Sequence, residues 1–93
     1  AAALKRDPDL IEALLVRGDL LERRNELAAS RAVFEKALST HPTNFDARLG
    51  HARVLAAMGE GEKALEIALA LQEDEPDSVE VANIRAVVAA QKK

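Results

Sequence analysis

The chain has no cysteine, tryptophan or tyrosine, and only three prolines and two phenylalanines among its 93 residues. Without cysteine there are no disulfides and no thiolate metal sites, and the redox compartment stays open. Two aromatics, Phe34 and Phe45, are too few for a platform on which nucleic-acid bases stack. Charge of one sign is also scarce. Thirteen basic and 16 acidic residues alternate without blocks and leave a net charge of −3. Nucleic acid and anionic membranes both reward concentrated Lys and Arg, so neither is an expected partner. No uncharged stretch approaches the roughly 18 residues of a membrane span. No signal-peptide pattern is visible, and localisation is left open between cytoplasm and periplasm. There is no Gly-rich phosphate loop and no paired metal-ligand spacing around His41 or His51. No catalytic residue, metal or cofactor is expected.

The three prolines carry the organisation. Pro8, Pro42 and Pro76 stand 34 residues apart, each followed by a polar start signal and an Ala/Leu-rich run. Proline inside a helix loses a backbone bond and clashes with the preceding turn. Equal spacing therefore cuts the chain into equal helical units, and a period near 34 is that of a helix–turn–helix repeat. Start signals repeat with the prolines: Asp9 with Glu12, Thr43 with Asp46, and Asp77 with Glu80 read as a capping residue and an acid three residues on. Apolar residues then recur at three- and four-residue steps, as in Leu10, Ile11, Leu14, Leu15, Gly18 and Leu21. Asn25 and Gly59 occupy equivalent places and tolerate the left-handed conformation that ends a helix. The spacing predicts a helical stub at 1–6 and helices near 9–24, 27–39, 44–58, 62–73 and 77–91. No period-two alternation occurs. Linkers of a few residues make neighbouring helices antiparallel.

Gly18, Ala52 and Ala86 place a small residue midway along the first helix of each unit, with Leu21 and Leu55 one turn later. Ser30 and Ala64 are small residues near the start of the second helix, and Phe34, Ala37 and Pro42 follow toward its end. On these residues the chain resembles the tetratricopeptide repeat family. The resemblance implies an all-α fold of antiparallel helix pairs stacked into a right-handed superhelix. It divides the chain into the end of a preceding repeat (1–10), repeats at 11–44 and 45–78, and a first helix of a further repeat or a terminal helix (79–93).

Repeats 11–44 and 45–78 share only five identical positions: Ala13/Ala47, Leu15/Leu49, Leu21/Leu55, Glu26/Glu60 and Pro42/Pro76. Leu14, Arg48 and Ala82 stand where the family usually has an aromatic. Phe34 and Ala37 become Ala68 and Leu71, a large/small pair turned into small/large, a swap that nearly conserves volume.

The resemblance also implies a concave groove lined by first helices and used to bind a protein or peptide. By slot, Leu15, Asp19, Leu49, Arg53, Asn83 and Val87 line it, with Ala56 and Ala90 lower down. Leu15 and Leu49 read equally as helix-packing leucines. The best-known branch of the family grips chaperone carboxylates with a Lys/Asn/Arg clamp. Those slots here hold Leu15, Asp19, Gly50, Glu80 and Ile84, so that activity is not expected.

Two charged rows follow the period. Glu12, Asp46 and Glu80 form an acidic row along one rim; they are acids at helix starts, where capping explains them, with attraction of a basic ligand as the functional alternative. Arg17, His51 and Arg85 form a basic row, read either as long stems packed between helices or as a ladder for an acidic partner. Helix 77–91 is apolar almost all round, and such a face usually marks a contact surface. It points to a longer array or to homo-oligomerisation through Val81, Ile84 and Val88. The preferred role is a non-catalytic peptide-binding scaffold. An accessory segment of a larger enzyme, or of a secretion or polysaccharide-assembly protein of bacterial type, stays open beside it.

Overall fold

The computed structural model describes residues 10–91. Five helices account for them: α1 (Ile11–Arg23), α2 (Leu27–Thr40), α3 (Phe45–Ala57), α4 (Gly61–Asp74) and α5 (Val79–Gln91), with no strand among the described residues. Each bound lies within two residues of its expectation. The stub at 1–6 and the cap at Asp9 fall outside the described residues.

The punctuation is local chemistry. Asn44 N–H donates to the carbonyl of His41 and Ser78 N–H to that of Glu75, closing turns whose second residues are Pro42 and Pro76. Proline suits that position because its φ is already set and no N–H is needed there. The residue that closes the turn then caps the next helix. Asn44 Oδ1 accepts from Ala47 N–H at 2.9 Å and Ser78 Oγ from Val81 N–H at 3.3 Å. The expected caps, Thr43 and Asp77, are thus each one residue early, because the turn places its fourth residue at the helix entrance. Helices α1 and α3 end as expected. Asn25 has φ +61° and Gly59 φ +86°. Glu26 N–H reaches back to Leu21 and Glu60 N–H to Leu55, satisfying carbonyls the helix leaves open.

Helices α1, α3 and α5 touch one another in sequence, and each of α2 and α4 packs on its two chain neighbours without touching the other's helix. Contact along one layer and a gap along the other curves the stack, with the first helices on the inside. The central helix α3 meets all four others. It buries Ala47, Leu49, Gly50, Ala52, Val54, Leu55 and Ala56, so its apolar residues run round the cylinder instead of along one stripe.

The first joint is built on Phe34. Its ring is 1% exposed and lies between two glycines: a Cβ on Gly18 would come within 2.6 Å of it and one on Gly50 within 2.4 Å. One period on, the positions of Phe34 and Gly50 hold Ala68 and Ile84, both buried around Leu55 and Leu71. The change at Phe34 is therefore offset across the helix pair by Gly50 becoming Ile84, as well as by Ala37 becoming Leu71. Ser30 Oγ, fully buried, donates to the Gly18 carbonyl at 2.7 Å and fastens α2 to α1 at the same level.

Gly50→Ala should destabilise the chain even though alanine favours helix by up to ~1 kcal/mol. Overpacking against a ring held from both sides costs roughly 1–3 kcal/mol. In urea denaturation, Phe34→Leu added to Gly50→Ala should cost less than the two changes summed. Simple additivity would show that the ring and the glycine are not coupled.

Candidate binding groove

The inner face of α1, α3 and α5 carries two adjoining clefts. Leu15, Asp19, Asp46, Leu49, Arg53 and Glu80 line one of about 170 Å³, and Glu22, Arg53, Ala56, Ala57, Glu80, Asn83, Ile84 and Val87 line one of about 280 Å³. All six groove residues expected from their slots come to this face. Their roles in it differ. Leu49 is only 4% exposed and belongs to the core, so it forms the floor and presents almost no surface to a ligand. Leu15 is half-buried against Leu14, Ala37 and Ala47. Asn83 and Val87 are exposed, Val87 by 44%.

Asp19 and Arg53 are not independent polar contacts. Arg53 Nη2 donates to Asp19 Oδ1 and its Nε to Glu22 Oε1, both at 2.7 Å. Asp19 and Arg53 occupy the same slot in successive repeats, and opposite charges there bridge α1 to α3. Each partly exposed pair contributes about 0.2–1 kcal/mol, yet together they hold the guanidinium by two separate nitrogens. Asp46 and Glu80, of the expected acidic row, line this face as well, and so does Glu22, which slot reasoning did not place there. Glu22 was legible all the same, because one period on it becomes Ala56, already placed low in the groove.

The basic row does not assemble as a ladder. Arg17 is exposed, and Arg85 Nη1 donates to Gln72 Oε1 at 2.7 Å. His51 is turned toward α2, where Nε2 lies 3.5 Å from Glu35 Oε2, too far for a good hydrogen bond, and is buried without a hydrogen-bond partner. Burial pushes its imidazole below the ordinary range, only partly opposed by the Glu35 carboxylate. His51 is therefore no cation near neutral pH. Around it, Arg31 binds Glu35 at 3.0 Å and Glu60 at 2.8 Å, and Lys63 binds Glu60 at 3.1 Å, tying α2 to the start of α4. The bond from Arg31 holds the Glu35 carboxyl low, and the bond from Lys63 does the same for Glu60.

The expected self-association residues are also corrected. Val81, Ile84 and Val88 are 1–3% exposed because they pack inward on the α3–α4 core. The outer side of α5 is formed instead by Val79, Ala82, Ala86 and Ala89.

A family model described as tetratricopeptide repeat matches residues 21–88. The chain belongs to the tetratricopeptide repeat family. Comparison with curated proteins and with solved structures gives no match. Tetratricopeptide repeats generally mediate protein–protein interaction and are typically non-catalytic scaffolds. Among the described residues no His, Asp or Glu group is arranged to hold a metal ion, and no helix is long and apolar enough to cross a membrane.

The desolvated imidazole makes a pH prediction for this repeat. With its folded pKa below the unfolded value, the unfolded chain binds the proton more readily. Stability is then full above about pH 6.5 and declines as pH falls through it. Glu35 and Glu60, held low, extend the decline below about pH 4.5. In urea titrations, His51→Gln should remove the upper limb and leave the lower. An upper limb that persists in the variant would assign it to another group.

Proposed function

We propose that this chain is a non-catalytic scaffold that binds a protein or peptide segment in the groove of its first helices. The observation that carries this reading is the convergence of Asp19, Arg53, Asn83 and Val87 on one open face, with an apolar floor beneath them. The polar wall is held by ion pairs before any ligand arrives, which lowers the ordering cost of binding. A trough of polar walls over apolar pockets suits an extended or helical peptide.

The face of α5 that carries Ala82, Ala86 and Ala89 supports a second proposal, about domain organisation. One period earlier the same slots hold Arg48, Ala52 and Leu55, of which Ala52 and Leu55 are buried in the core shared with α4. On α5 all three are exposed and Val79 is 71% exposed. We propose that this face receives a further helix, so that 11–44 and 45–78 are full repeats of a longer array and 79–93 opens another. The accessory-segment reading fits the same face. Homo-oligomerisation through α5 would use this face too, since Val81, Ile84 and Val88 are occupied within the chain.

Peptides selected from a random phage library on the immobilised chain test the groove. Val87→Ser should weaken a selected peptide about fivefold, the worth of a partly buried aliphatic side chain, and Asn83→Arg should alter its selectivity. Glu66→Lys and Glu73→Lys, on the exposed side of α4, should do neither. Peptides indifferent to positions 83 and 87 would move the ligand off this face.

A further inference from the structure

We infer that the segment this groove takes is cationic, with Lys or Arg side chains flanking a medium-sized apolar residue; the inference rests on the groove reading above. It starts from two acids that have lost their structural explanation. Helices α3 and α5 are capped by Asn44 and Ser78, whose side chains already accept the N–H groups of Ala47 and Val81. Asp46 and Glu80 therefore stand at the second helical position, not the third from which an acid reaches back to its cap. The helix dipole favours an acid there, but only by a few tenths to about 1 kcal/mol on an exposed surface. Neither carboxylate has a hydrogen-bond or cation partner among the described residues. Both line the groove, on successive first helices.

The balance of the site follows from the rest of its wall. Four carboxylates, those of Asp19, Glu22, Asp46 and Glu80, face two guanidinium groups, those of Arg53 and of Arg23 at one end. Arg53 is already committed to Asp19 and Glu22. The excess is negative, and a concave, low-dielectric wall concentrates its field on whatever enters. A carboxylate-bearing or phosphate-bearing ligand would meet net repulsion there. Next to the acids, Ala56, Ala57, Ile84 and Val87 line the larger cleft with short side chains around about 280 Å³, room for a leucine-sized group or the stem of a lysine. A basic residue beside an aliphatic one fills both halves.

The test uses a fluorescein-labelled peptide of three Lys-Leu-Lys-Ala repeats and two counterparts with Gln or Glu in place of every Lys, read by fluorescence anisotropy. The Lys peptide should bind at least about tenfold more tightly than the Gln peptide, and progressively less tightly as salt shortens the Debye length. Asp46→Lys with Glu80→Lys should abolish that preference and favour the Glu peptide. Glu66→Lys with Glu73→Lys makes the same charge change on α4 and should leave the order intact. Equal loss in the two double variants would reduce the effect to net charge and overturn the inference. If the Gln or Glu peptide binds best and Val87→Ser still weakens it, the groove stands and the cationic partner falls. If no peptide binds, or binding ignores Val87, the groove reading falls with it.

Discussion

The phenyl ring of Phe34, seated between Gly18 and Gly50, is the constraint on which the arrangement depends. It requires two helices to give up their side chains at the level where a third inserts its largest one. That fixes how closely α1 and α3 approach α2, and so how the two first helices lie beside each other. Interiors packed this tightly transmit a misfit of one methyl group to every neighbour. The Ser30 hydroxyl on the Gly18 carbonyl adds a directional bond at the same level, so the joint is held against both separation and sliding.

The second joint solves the same problem with different residues. Ala68 and Ile84 replace Phe34 and Gly50, and Leu71 replaces Ala37. Large and small groups change places between helices while the backbone period stays at 34. This is why two repeats sharing so few identical residues stack alike. What must be conserved between the helices is filled space, not residue identity, and volume can be redistributed at little cost when both partners change together.

The two long faces of the stack do different electrostatic work. On the side where α2 meets α3 and the turn before α4, Arg31, Glu35, Glu60 and Lys63 satisfy one another, with His51 beside Glu35. On the inner side, Arg53 satisfies Asp19 and Glu22, whereas Asp46 and Glu80 are left over. An ion network that closes on itself serves the fold. One that leaves carboxylates unmatched beside an apolar cleft is the better candidate for meeting a partner, and the proposed cationic ligand starts from that asymmetry.

The period was legible in the sequence because proline and left-handed residues act through their own backbone. Pro42 and Pro76 cannot sit inside a helix, Asn25 and Gly59 take the left-handed conformation that ends one, and helix spacing of apolar residues needs no knowledge of neighbours. Slot logic also put Leu15, Asp19, Leu49, Arg53, Asn83 and Val87 on one face, since equivalent residues of stacked repeats lie in rows. Tertiary structure decided everything that depends on what one row meets. Leu49 became floor because α4 and α5 close over it, and Val81, Ile84 and Val88 turned inward because α4 lies there. Arg53 found Asp19 and Glu22 across a helix interface, and His51 lost its solvent to α2. Local sequence sets the direction and length of a helix. Which of its sides reaches water is settled only when the other helices have taken theirs.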